Sequence, residues 1–183
     1  MITVPVSFEH ILDPNAVFLL EKTTRDLDTD ARNAFPNTTR RQHRVHLVRV
    51  VSLDFTPYVG VRTLFASGVV QGETARYNSM ILFTGVKFHK EHDPGTVELV
   101  KGGRADYFEP VDPRDSQVRV RCNCPDFYYR FNFYDARASA LFGKSAKAPS
   151  SPRPANPRRM PGICKHLMAM AEEVLRTGYV RRY

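Results

Sequence analysis

Val118-Arg119-Val120-Arg121-Cys122-Asn123-Cys124-Pro125, joined much later by Cys164-Lys165-His166, contains all three cysteines of the 183-residue chain. Two of the three stand one residue apart. The third stands two residues before a histidine at the head of a helix-like run. Chance scatter rarely gives that placement. Three sulfurs and one imidazole complete the tetrahedral shell of a structural zinc ion. The stretch therefore predicts one metal site, with Cys122, Cys124, Cys164 and His166 as ligands, fastening the C-terminal third of the chain.

The spacing has a physical logic. Residues two apart on a strand project to the same face, so Cys122 and Cys124 offer two sulfurs to one ion. Pro125 ends the strand directly after them. Cys164 and His166 fall in the first turn of a helix, where backbone N–H groups favour the thiolate a metal needs. Pro161-Gly162 supplies a turn that lets the backbone approach. Thirty-nine residues separate Cys124 from Cys164, so the ion closes a long loop and offsets its closure entropy. The bland alternative is a set of buried small cysteines and a surface histidine. An iron–sulfur cluster is a second alternative for the same ligands. Four protein ligands leave no open position, which favours a structural over a hydrolytic metal.

Toward the N-terminus the pattern is that of strands. Residues 118–124 alternate, with Val118, Val120, Cys122 and Cys124 on one side and arginines on the other. Residues 45–55 read as a strand that is apolar on both faces, which predicts a central place in the sheet. Residues 59–70 and 77–88 read as two strands joined around Gln71-Gly72-Glu73. Asp93-Pro94-Gly95 is a turn, 96–100 a short strand, and Lys101-Gly102-Gly103 a break before 105–108. Residues 1–8 alternate as a strand, Asp13-Pro14 opens a short helix, and 22–42 reads as loop. No βαβ spacing occurs, so the sheet is expected to be mostly antiparallel.

Beyond the cysteine pair, Phe127, Phe131, Tyr134, Ala138, Leu141 and Phe142 recur at helical spacing and stop before Gly143. Residues 143–161 are rich in proline and basic residues and predict an extended surface arm. Ile163, Leu167, Met170, Ala171 and Val174 mark a second helix, closed by Gly178. The fold class expected is α+β. A mostly antiparallel sheet precedes two C-terminal helices, joined by a long Pro-rich loop and stapled by a Cys3His zinc site. One domain is expected over 1–183, with 1–117 mainly sheet and 118–183 the zinc-stapled segment.

Composition excludes some classes. An odd number of cysteines argues against a disulfide framework. No secretory signal and no run long enough to span a bilayer is evident, so no membrane partner is expected. The net charge is +8 and unevenly spread: residues 118–183 hold 13 Lys/Arg against 4 Asp/Glu, whereas 1–117 hold 14 against 15. Such an imbalance implies an acidic partner, DNA or an acidic protein face. Arg130, flanked by Tyr128, Tyr129 and Phe131, is placed to stack bases and neutralise phosphates. Enzyme signals fail. His89-x-x-His92-Asp93 lies in a turn and not on a helix, and no phosphate-cradling glycine loop, G-x-S-x-G or P-C-x-x-C occurs. Neither catalytic residues nor a small-molecule substrate are expected.

The C-x-C…C-x-H arrangement resembles the SWIM zinc-finger signature. The wider wording carries further: Val120-Arg121-Cys122-Asn123-Cys124-Pro125-Asp126-Phe127, then Ala140-Leu141-Phe142-Gly143, then Asn156-Pro157-Arg158-Arg159-Met160-Pro161-Gly162-Ile163-Cys164-Lys165-His166-Leu167. Over residues 118–178 it is similar to a family of tailed-bacteriophage proteins, many encoded among virion structural genes. The resemblance implies a structural or adaptor protein of the virion (baseplate, tail or neck). Such a protein would be assembled with other virion proteins in the host cytoplasm. SWIM domains are credited with nucleic-acid or protein binding, so the alternative it implies is a nucleic-acid-binding module of the infected cell.

Overall fold

A computed structural model describes residues 23–34, 48–145, 155–156 and 158–182. The strand expected over 1–8 and the helix opened by Asp13-Pro14 lie outside the described residues.

Helix α1 (Thr24–Ala34) stands where a loop was expected over 22–42. Its start is a reciprocal cap. The Asp26 N–H donates to Thr23 Oγ1 (3.2 Å), and the Thr23 N–H donates to Asp26 Oδ2 (2.9 Å). That satisfies donors a free helix end leaves open. Among its residues whose burial is described, Leu27 and Ala31, one turn apart, are the buried hydrophobics. Two apolar positions are too few to display a helical period, which is why the sequence hid it.

The main sheet is antiparallel, with strands β1 (Arg49–Tyr58), β2 (Thr63–Gln71), β3 (Arg76–Thr84) and β7 (Val118–Cys122) in the order β1-β2-β3-β7. A smaller sheet holds β4 (Phe88–His89), β5 (Val97–Lys101) and β6 (Arg104–Phe108) in the order β4-β6-β5. Gly102 and Gly103, both at positive φ, make the tight β5–β6 turn that a side chain would strain. The strand expected over 59–70 starts only at Thr63, because Val59–Val61 forms a 3₁₀ turn. The one expected over 77–88 stops at Thr84, and the left-handed Gly85 redirects the chain into the second sheet.

Strand β1 is an edge among the described strands, not the centre its two apolar faces predicted. The apolar count misled because Val51 is the extra residue of a bulge between Val50 and Ser52 and lies 40% exposed. The edge is protected. Lys101 Nζ reaches across it to Phe55 O (3.0 Å), Thr56 Oγ1 (2.7 Å) and Asp54 Oδ2 (2.5 Å), and Pro57 offers no N–H.

One face of the main sheet is core. By register, Phe55, Ala66, Ile81 and Val120 form one row across it, and Gly68, Ser79 and Cys122 another. Helix α4 (Lys165–Arg176) covers this face and meets all four strands. Its Leu167, Met170 and Val174, at 0–1% exposure, follow the helical period. Each such side chain contributes about 1.5–3 kcal/mol by leaving water. Tyr179, beyond the helix, packs its ring against Phe55 and Phe108 and so ties the two sheets together. The tail then bonds to the loop before β7 through Val111 N–H to Tyr179 O and Arg181 N–H to Val111 O. No helix among the described residues is long and apolar enough to cross a membrane.

The single helix expected over 127–142 is two short ones, α2 (Pro125–Arg130) and α3 (Asn132–Arg137). Phe127, Phe131 and Tyr134 are buried at the expected spacing. Ser139, at positive φ, then ends the helical path. Residues 140–142 run extended beside β7, with Val120 N–H to Ala140 O (2.8 Å) and Phe142 N–H to Val120 O (3.0 Å). Leu141 continued the helical period by coincidence; it is buried as a strand residue.

Candidate metal centre

Three elements, β7, α2 and α4, converge on one point. Cys122 ends β7 on the core face, opposite Ser79 of β3. Cys124 is the N-cap of α2, and Cys164 is the N-cap of α4, with His166 in that helix's first turn. All four side chains are buried, and their ligand atoms lie within 4.8 Å of one another. In a tetrahedral zinc–thiolate site neighbouring sulfurs stand about 3.8 Å apart. Cys164 Sγ and His166 Nδ1 are already 3.9 Å apart. Sequence reasoning named these four residues, and the fold brings all four together. They form a buried Cys3His group that can hold a metal ion such as zinc.

The group carries its own electrostatic preparation. Ser79 Oγ donates to Cys122 Sγ (3.4 Å), and the Phe127 N–H donates to Cys124 Sγ (3.3 Å). Hydrogen bonds from the Cys124 and Cys164 thiols, with that of Ser79, hold the Cys122 thiol down to about 4. Burial, then the neighbouring sulfurs, push Cys164 well above the usual thiol range. The N-terminus of α4 makes no capping N–H···S bond to Cys164; the direct N–H···S bond is made at Cys124 by α2, which Pro125 starts. A divalent cation reverses the cost at Cys164, since it supplies the positive charge that one buried thiolate beside others lacks.

Residues that the sequence did not mark support the ligands. Tyr77 lies against the His166 ring, centroids 4.5 Å apart. With Nδ1 toward the sulfurs, His166 Nε2 is buried and has no hydrogen-bond partner among the described residues. Gly72 backs it: a Cβ there would stand 2.8 Å from Nε2 and 3.1 Å from the Tyr77 ring. Gly72 was legible only as part of a turn. Approach to Cys164 is fixed by Asp135, fully buried, whose Oδ1 accepts the Gly162 N–H at 2.7 Å. The end of the arm expected to lie extended is packed. Asn156 is fully buried and its Nδ2 donates to Arg130 O (2.9 Å) and Met160 O (2.7 Å). Residues 146–154 lie outside the described residues.

A cavity of about 470 Å³ borders the centre, and Cys124 and His166 form part of its wall. Those side chains are themselves 1% and 3% exposed, so they screen the ion position from it. In the second histidine cluster His89 ends strand β4, and His92 and Asp93 lie in the exposed turn that follows. His89 Nδ1 pairs with Asp93 Oδ2 at 3.0 Å, and the Thr96 N–H closes the turn onto Asp93 O.

The class that fold and site define is an α+β protein of antiparallel sheets and C-terminal helices with a buried Cys3His group. No family model matches the chain, nor does any curated protein or solved structure.

Proposed function

We propose that the chain is a non-enzymatic structural or adaptor protein with a structural zinc site, and that it is a component of a tailed-phage virion (baseplate, tail or neck). The observation that carries the structural role is closure. Four buried ligands complete the shell of one ion and leave no position for substrate or water. The ligand atoms, all within 4.8 Å, suit a single ion better than a multi-iron cluster, whose ligands spread over more than one metal. The thiolates select zinc over hard cations. The virion assignment rests on the resemblance of residues 118–178 to phage proteins, and other virion proteins are its partners. Mass spectrometry of purified particles should find the polypeptide at a fixed copy number, with one zinc per chain in the purified protein. Particles lacking it would remove the virion assignment; a metal-free chain would remove the structural-zinc role.

The alternative reading is a SWIM-type nucleic-acid-binding module acting in the infected cell, to which residues 128–131 contribute the exposed ring of Tyr129. Arg130 pairs with Asp126 at 3.0 Å, Phe131 is buried, and Tyr128 packs edge-on against Tyr129.

A further inference from the structure

Among the described residues, the face of the main sheet turned away from α4 is met by Lys101 of β5, at Asp54 and Thr56, and by Phe142, at Phe65. By register its positions are Ser52, Asp54, Thr56 and Tyr58 of β1, opposite Val69, Ser67, Phe65 and Thr63 of β2. Met80 and Leu82 of β3 follow, and then Arg121 and Arg119 of β7. An uncovered sheet face is ordinarily polar. This one holds Phe65, Val69, Met80 and Leu82, each only partly buried.

Two aromatic rings meet on it. Phe142 follows the extended residues beside β7, and its ring lies 5.2 Å from that of Phe65, tilted by 34°. Arg121 holds the Phe142 backbone in place, Nε to Phe142 O at 2.5 Å, and also bonds Lys144 O. A third ring, Tyr58, is 49% exposed at the far corner. Around the rings stand Arg119, exposed beside Leu82, and Arg49 and Arg76, exposed at the opposite end. The carboxylate on the face, Asp54, is already neutralised by Lys101. Cations therefore outnumber unpaired anions on an apolar, ring-bearing surface.

We infer that this face is a binding platform for single-stranded nucleic acid. Each base has a π-face that stacks on an aromatic ring, here the half-exposed Tyr58 and the partly buried Phe65 and Phe142, and the arginines lie where a backbone crossing the sheet would place its phosphates. Duplex DNA fits poorly, because its bases are already stacked and a broad sheet face enters neither groove. An acidic protein segment would satisfy the arginines but leave the rings without planar partners. The platform lies on the opposite side of the sheet from the metal centre, so it is independent of the zinc role.

The test is fluorescence anisotropy of the full, metal-loaded chain with a labelled oligothymidylate of about 20 nucleotides across a salt series. Competitors are a duplex of equal length and a polyglutamate chain. Binding should weaken with salt, with a log–log slope near −0.7 per phosphate contacted. Arg119→Ala should reduce that slope by about 0.7, and Tyr58→Ala should weaken binding about fivefold or more while leaving the slope unchanged. Both residues are exposed, so metal content and circular dichroism should match the parent; Arg76→Ala serves if Arg119→Ala fails that control. Four results would overturn the platform: no binding at low salt, equal affinity for duplex, equal competition by polyglutamate, or unaltered binding by the variants.

Discussion

At the scale of single residues, the metal centre depends on atoms with no slack around them. Cys122→Ser or Cys164→Ser removes one soft ligand from a closed shell. Each variant should lose the metal, measured by inductively coupled plasma mass spectrometry after dialysis against a weak chelator. Stoichiometric zinc in both variants would show that the four-ligand set is wrong. Gly72 offers a subtler test, because it touches the imidazole without ligating anything. Gly72→Ala forces the His166 ring or Tyr77 to move. It should lower zinc affinity about 10–100-fold, the usual cost of disturbing a ligand's supporting shell. Competition against a chromophoric chelator reads this directly, and an unchanged affinity would mean the ring has room after all.

Among the elements, the approach to α4 matters most, and Asp135 controls it. Burial raises this carboxyl well above its ordinary value, outweighing the Gly162 hydrogen bond that favours ionisation. The folded chain thus keeps a proton that the unfolded chain releases. Stability from this group is fully present below the ordinary carboxyl range and is lost as pH rises toward the folded value. Asp135→Asn keeps the acceptor for Gly162 and carries no charge. Urea midpoints of the metal-loaded parent should therefore fall more steeply with rising pH than those of the variant. Parallel curves would show that Asp135 is ionised in the folded state. The same segment shows what sequence could and could not tell. Cys122, Cys124, Cys164 and His166 were legible because their chemistry is rare and their spacing matches a strand end and a helix start. The strands were legible as alternation and the turns as Gly and Pro. Asp135 and Asn156 were not, since a buried polar residue gains meaning only from the backbone groups it meets. Helix α1 escaped because its cap, Thr23 with Asp26, is local while Leu27 and Ala31 alone give the pattern too few buried apolar side chains to read. The edge position of β1 escaped because a bulge breaks the alternation that faces are read from.

At the scale of the whole molecule, a metal ion held by the Cys3His group would be one of two fastenings between the C-terminal region and the sheet. The other is hydrophobic, made by Leu167, Met170 and Val174 on the core face. Removing the metal should therefore leave the sheet intact while loosening the stretch between Cys124 and α4. Trypsin treatment after chelation should cut at Arg158, Arg159 or Lys165 markedly faster than with zinc present, with the β-sheet circular dichroism retained. Equal cutting rates would show that packing alone holds the segment. Charge, too, reads differently in three dimensions. The sequence places all excess positive charge in 118–183, yet Arg130 and Arg176 there are spent on Asp126 and Glu173. The outer sheet face instead recruits Arg49 and Arg76 from the part of the chain whose formal charge is −1.

The Tyr77 ring against His166 has one more consequence. The chain contains no tryptophan, so its ultraviolet emission comes from tyrosines, and one of them lies 4.5 Å from the imidazole of the candidate ligand His166. Binding of an ion polarises that imidazole and fixes its orientation, altering the asymmetric field around the phenol. Near-ultraviolet circular dichroism of unlabelled protein should thus change as the metal enters, and Tyr77→Phe should remove most of the change. The molecule carries its own optical gauge of occupancy.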